Sequence, residues 1–153
     1  GIAPPPPPAP RVPVGLTADG EHAHPAICEQ VARLKGPSRV ALTTDQTAAA
    51  GVAPGDYLLS GRPVVSDGLS VRLSDGTLAG SAATMDQLVR RVAKLPGMTA
   101  ARAITMASAA PARVLGEHGL GRIRVGGCAD LVLLDAELGV RLTMVGGSVD
   151  YRR

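Results

Sequence analysis

The residues with chemistry to offer lie in the first third of the chain. His22-Ala23-His24 sets two imidazoles at the spacing that puts both on one face of a strand, where they could hold a zinc ion. The plainer reading is a pair of surface or capping residues, and His24, directly before Pro25, suits a helix cap. His118 is remote in sequence, so a third protein ligand is hard to find. Asp45 follows the apolar run Val40 to Leu42 and is flanked by Thr43, Thr44 and Thr47. A carboxylate at the C-terminal end of a parallel strand can act as general acid or base, with neighbouring hydroxyls to tune it; spacing alone favours the plainer reading, that it caps the next segment. Asp19, before Gly20, faces the same choice between chemistry and a turn. Gly76 to Ser81, GTLAGS, could bring backbone amides close to a ligand but has no P-loop lysine. Gly119 to Gly127 reads as turn punctuation around a strand, and no Ser, His and Asp set stands in a nucleophile-elbow context.

These residues need elements to position them. Arg11 to Ala18 alternates Val12, Val14, Leu16 and Ala18 on one face, which is strand periodicity, with Pro13 favouring an edge or a strand start. Pro25 suits a first helical position, Ile27, Val31 and Leu34 form the apolar stripe, and Gly36 supplies the stop. Val40 to Thr44 is a second strand. Residues 11 to 45 therefore read as a βαβ unit, whose parallel strands deliver Asp19 to His24 and Thr44 to Thr47 to one sheet edge.

Between residues 60 and 80, Asp67-Gly68 and Asp75-Gly76 punctuate short apolar runs and predict an antiparallel excursion. Thr84 and Gln87 form a capping box ahead of the stripe Met85, Leu88, Val89, Val92 and Leu95, ended by Pro96-Gly97. Further helices are expected from Thr99 to about Ser108 and from Pro111 to Gly116. Leu131 to Leu134 reads as a buried strand, followed by the pair Arg141 to Val145 and Ser148 to Tyr151 around Gly146-Gly147.

With 153 residues, 45% hydrophobic and 19% charged, the chain can bury a core, but one built from aliphatic residues because aromatics make up 1%. That scarcity excludes an aromatic platform for stacking bases. A net charge of +3 spread along the chain, with a pI near 9.3, gives no concentrated patch, so no nucleic-acid partner is expected. No apolar run reaches the roughly 18 to 20 residues that span a bilayer, so no membrane partner is expected either. Cys28 and Cys128 lack CxxC spacing, which points to free thiols and a cytoplasmic protein. Residues 1–10, GIAPPPPPAP, read as a proline-rich tail, and a first residue of Gly hints at a trimmed or incomplete chain.

Taken in order, GLTADGEHAHP, ALTTDQTAAAG, GTLAGSAATM and PARVLGEHGLGRIRVGGCADLVLLD resemble the amidohydrolase superfamily, most closely its N-acetylglucosamine-6-phosphate deacetylase family. The last segment is shared by many amidohydrolases, whereas the middle two are much more specific and separate the deacetylases from dihydroorotase-like or adenine-deaminase-like relatives. The resemblance implies an α/β fold: the C-terminal part of a (β/α)8 TIM barrel, with residues 11–18 and 39–44 as its seventh and eighth strands, beside part of a small β-sandwich. A complete barrel needs about 250 residues, so only part of one fits here. On this reading residues 11–118 form the partial barrel and residues 119–153 the sandwich strands. Asp45 matches the family's catalytic aspartate, His22 a histidine that contacts the phosphorylated sugar, and Leu78, Ala79 and Gly80 a backbone segment lining the sugar site. His24 matches no functional position.

The implied reaction converts N-acetylglucosamine 6-phosphate and water to glucosamine 6-phosphate and acetate. It uses a divalent metal, zinc being the expected one, which generates hydroxide and polarises the acetamide. The family's Glu and His ligands would precede residue 1, so no metal ligand is assigned in this chain and the isolated chain is expected to be inactive. The complete enzyme is expected to be a homo-oligomer, a dimer, with a phosphosugar substrate. The alternatives are a non-catalytic phosphosugar-binding remnant, half of a split enzyme, or an amidohydrolase of other amide specificity.

Overall fold

The computed structural model describes residues 12–153, so the proline-rich stretch expected at residues 1–10 lies outside the described residues. The expected βαβ unit is present. Strand β1 (Val14–Leu16) leads through helix α1 (Pro25–Lys35) and a 3-10 turn (Pro37–Arg39) to strand β2 (Val40–Leu42). The strands pair in parallel, with Val14, Gly15 and Leu16 opposite Val40, Ala41 and Leu42. Both are shorter than the sequence suggests. Pro13 has no N–H to extend β1 backwards, and beyond Leu42 the pairing passes to the Thr43 amide on the Leu16 carbonyl, 3.0 Å, and to the Thr17 and Thr43 hydroxyls, also 3.0 Å apart. The segments after the two strands are thereby locked side by side.

Helix α1 starts where the sequence predicts, with Pro25 at its first position and Gly36 closing it through an amide bond to the Ala32 carbonyl. Its buried row, however, is Cys28 and Ala32 rather than the stripe Ile27, Val31 and Leu34. Val31 is partly covered, while Ile27 and Leu34 face outward at 51% and 76% exposure. Small side chains at i and i+4 let the helix backbone approach the sheet closely, and the bulkier residues are left on the flank.

Strands β3 (Gly55–Leu59), β4 (Arg62–Ser66), β5 (Ser70–Leu73) and β6 (Leu78–Ser81) form an antiparallel meander in sequence order. The excursion begins five residues earlier than the range 60–80 allowed. Ser60 and Gly61, with φ of 50° and 79°, make the left-handed turn that folds β3 onto β4. The Asp67 carboxylate accepts from the Leu69 and Ser70 amides, as the Asp-Gly signal requires.

Helices α2 (Met85–Ala93), α3 (Ala100–Ala107) and α4 (Ala109–Val114) follow. The Thr84 amide donates to Gln87 Oε1 at the start of α2, and Thr99 caps α3. Helix α4 starts two residues before Pro111, which is accommodated in the first turn where no intrahelical N–H is needed. The main core joins Leu16, Leu42 and Val40 to Leu88, Val92 and Met106, and a smaller core lies under the meander around Val64 and Val71.

Strands β7 (Leu131–Leu134), β8 (Val140–Val145) and β9 (Ser148–Arg152) form a third sheet, turned at Gly146-Gly147. The buried character expected of Leu131 to Leu134 is not found, since Val132 and Leu133, on opposite faces of the strand, are 57% and 59% exposed. Among the described residues, no helix is long and apolar enough to cross a membrane, and both cysteines are free thiols.

Candidate active site

The loops leaving β1 and β2 bring three side chains into a line. Asp19, one residue past the last inward-facing residue of the β1 segment, is fully buried. Its Oδ1 accepts from the amides of Glu21 and His22, both at 3.0 Å, and its Oδ2 lies 2.7 Å from His22 Nδ1. The other ring nitrogen, His22 Nε2, lies 2.9 Å from Asp45 Oδ2. The Asp45 side chain is 59% exposed and so open to a ligand, whereas His22 is only 25% exposed. The chain thus places an imidazole between a buried carboxylate and an accessible one.

Burial alone would raise the Asp19 carboxyl, but hydrogen bonds from the His22 amide, the His22 ring and the Glu21 amide outweigh it and hold the group below the usual carboxylate range. Asp19 therefore stands as a carboxylate with acceptor sites only.

Asp45 occupies a left-handed backbone conformation, φ 52°, which turns its side chain out of the β2 line toward His22. Its carbonyl accepts from the Ser81 amide at 2.8 Å, and the Thr47 amide bonds back to the Ser81 carbonyl at 2.9 Å. This clamp brings β6 against the Asp45 loop. A side chain at Gly80 would put its Cβ 2.6 Å from Thr47 Cγ2 and 3.1 Å from the Asp45 carbonyl, and Gly80 has φ +146°. Glycine is what lets the strand come this close. A second tie crosses the same cleft, from Arg72 on β5 to Glu21 at 2.5 Å.

Of the residues singled out in the sequence, Asp45, His22 and Gly80 meet here. Leu78 and Ala79 lie half-buried on the same strand, Leu78 opposite Arg72 and Ala79 against the smaller core. The His22/His24 zinc pair does not form, because both His22 nitrogens face aspartates and His24 Nδ1 accepts from the Ala26 amide as the N-cap of α1. His118 is exposed. No group of three or more His, Cys, Asp or Glu side chains among the described residues could hold a metal ion. The described residues therefore do not fit the metal centre that the resemblance implies. A cavity of about 570 Å³, lined by Ala18, Gly20, Cys28, Arg91 and Leu95 among others, opens beside the loop; neither His22 nor Asp45 lines it.

For Asp19 the sequence left the choice between chemistry and a turn open, and its partner His22 was missed. Asp-Gly after a strand signals a turn, and the turn is there; the available clue was the spacing Asp-x-x-His, which lets an aspartate that caps its own turn also reach the imidazole three residues on.

A domain model of the amidohydrolase family matches residues 15–149. The chain is 42% identical over 138 residues to a putative N-acetylgalactosamine-6-phosphate deacetylase of Escherichia coli K12, covering 88% of this chain and 80% of that protein. It is 37% identical over 149 residues to the N-acetylglucosamine-6-phosphate deacetylase of Danio rerio, covering 96% of this chain but only 37% of that one. Among solved structures it is similar to an alanine-for-aspartate mutant of the N-acetyl-D-glucosamine-6-phosphate deacetylase of Mycobacterium smegmatis in complex with N-acetyl-D-glucosamine-6-phosphate. The TM-score is 0.83 at 35% identity, over 92% of this chain and 38% of that one. The chain belongs to the amidohydrolase family, whose enzymes are generally metal-dependent hydrolases. Within the family its relatives are deacetylases of 6-phosphorylated amino sugars, and it spans little more than a third of the length of the Danio rerio and Mycobacterium smegmatis proteins.

Proposed function

We propose that this chain supplies the acid–base residue and part of the sugar site of an N-acetylglucosamine-6-phosphate deacetylase, which hydrolyses its substrate to glucosamine 6-phosphate and acetate. The observation that carries the reading is the 2.9 Å contact between His22 Nε2 and the accessible carboxylate of Asp45, at the C-terminal ends of neighbouring parallel strands. In this reading Asp45 takes a proton from the water whose oxygen attacks the acetamide carbonyl. It returns that proton to the amine nitrogen as the C–N bond breaks. His22 lends positive charge beside the phosphorylated sugar, and the backbone from Leu78 to Gly80 lines the sugar.

In the same reading β1 and β2 are the seventh and eighth strands of a TIM barrel spread over residues 11–118, and residues 119–153 belong to a β-sandwich. Zinc is the metal we assign to the complete enzyme, with ligands other than the described residues of this chain. That enzyme is a cytoplasmic homodimer, and the chain alone releases no acetate. The 42% identity to the Escherichia coli protein named for N-acetylgalactosamine 6-phosphate favours a second reading, in which the 4-epimer is the substrate.

Titrating the 15N-labelled chain with each sugar phosphate and with unphosphorylated N-acetylglucosamine tests the assignment. Saturable shifts of the His22, Ala79 and Gly80 amides are expected, tighter for the phosphorylated sugars and lost in His22→Ala; the tighter epimer names the substrate. Shifts scattered over the surface, or unaffected by His22→Ala, would contradict it.

A further inference from the structure

We propose that Asp19 is a positioning residue: it keeps the proton of His22 on Nδ1 and so makes the proton between His22 Nε2 and Asp45 transferable. The argument is one of donors and acceptors. Asp19 is fully buried and its Oδ1 is already engaged by two backbone amides, so the Oδ2 that faces His22 can only accept. Nδ1, at 2.7 Å, must be the donor. Across the ring, Nε2 and Asp45 Oδ2 lie 2.9 Å apart, and two lone pairs at that distance repel unless one proton lies between them.

With Nδ1 protonated, that proton has two stable positions. On Nε2 it makes an imidazolium flanked by two carboxylates; on Asp45 it leaves a neutral imidazole beside a carboxylic acid. The pair can therefore pass that proton between the ring and the carboxylate without any other side chain moving. The buried carboxylate of Asp19 fixes Nδ1 as the donor, the arrangement a buried aspartate makes behind the histidine of a hydrolase triad.

Asp19→Asn separates this role from a structural one. The Glu21 and His22 amides need an acceptor, so the asparagine oxygen stays where Oδ1 was and its NH2 turns to face His22. An NH2 can only donate, so Nδ1 becomes the acceptor and the single ring proton moves to Nε2. From there it cannot leave without creating an imidazolate, and the relay is blocked while the turn survives.

The test is ring-15N histidine NMR on the full chain, with His22→Gln identifying the His22 signals. In the wild type Nδ1 carries the proton; in Asp19→Asn it carries none and Nε2 is protonated. In Asp45→Asn, whose substitution is at an exposed side chain, Nδ1 remains protonated, which keeps the test available should Asp19→Asn fail to fold. An unprotonated Nδ1 in the wild type, or an Nδ1 still protonated in Asp19→Asn, overturns the proposal.

The catalytic consequence rests on the deacetylase reading. In the chain reconstituted with the portion of a homologous deacetylase that it does not cover, Asp19→Asn lowers kcat about 10⁴-fold with little change in KM, the scale of the same exchange behind another catalytic histidine. Undiminished kcat overturns the positioning role. A tautomer switch without any acetate release by the reconstituted wild type supports the positioning and refutes the deacetylase reading.

Discussion

Replacing Gly80 with alanine strikes the contact that holds β6 against the Asp45 loop. The new Cβ would sit 3.1 Å from the Asp45 carbonyl, a tight contact, and 2.6 Å from Thr47 Cγ2, closer than real side chains pack, so something must move. Two costs add. The backbone of residue 80, at φ +146°, is disfavoured for any residue with a Cβ, at about 1–3 kcal/mol. Overpacking against Thr47 costs about 1–3 kcal/mol more. The sum is about 2–5 kcal/mol, a large share of a small domain's stability.

The two parts can be separated with Thr47→Ser, which removes Cγ2 but keeps the hydroxyl that accepts from the Ala49 amide. In a double-mutant cycle followed by urea denaturation, the Thr47→Ser background should restore about 1–2 kcal/mol of the Gly80→Ala loss and leave the backbone strain. Because the alternative route to relief is displacement of the Asp45 carbonyl, Gly80→Ala should also weaken sugar-phosphate binding. A Gly80→Ala variant within about 0.5 kcal/mol of wild type, or one equally destabilised in both backgrounds, would refute the claim that glycine is needed for this approach.

Acid should unfold the chain partly through Asp19. Its folded-state pKa lies below the usual 3.8, so its stabilising contribution is complete above that value and is lost as pH falls through the lowered one; Asp19→Asn should flatten that part of the stability curve, as measured by denaturation at a series of acid pH values. Asp86, half-buried at the start of α2, adds a drop of the same sign: burial opposes its ionisation, but the Thr84 hydroxyl and Arg90 overcome it. Burial pushes the Cys28 thiol up, while Cys128 is exposed. A thiol reagent should therefore modify about one cysteine in the native chain and both after denaturation, and rapid labelling of both would contradict the packing of α1.

Periodicity and turn chemistry made most elements legible. The βαβ unit, the capped start of α2 and the hairpins at Asp67 and Gly146 all follow from local rules, because each depends on residues adjacent in sequence. What failed depends on which face a neighbour covers. The stripe of α1 pointed to Ile27 and Leu34, yet packing selected Cys28 and Ala32; Leu131 to Leu134 looked buried, yet half of it is exposed. Strand β3 went unseen because its turn is Ser60-Gly61, a weaker signal than Asp-Gly.

The site divides in the same way. Asp45 and His22 were singled out on their motifs, and the geometry adds a direct contact between them. The buried carboxylate behind His22 was hidden inside an ordinary turn signal. The His22/His24 pair shows the converse, since the spacing was right for a metal and the two rings were already committed to Asp19, Asp45 and a helix cap.

The most direct test of the account is acetate release from N-acetylglucosamine 6-phosphate and its 4-epimer by the chain reconstituted with the uncovered portion of a homologous deacetylase, comparing wild type with Asp45→Asn. The account predicts acetate, not ammonia, from the wild type and a loss of at least about 10²-fold in kcat for the variant, the scale of a general acid–base group. Comparable turnover by Asp45→Asn would contradict it.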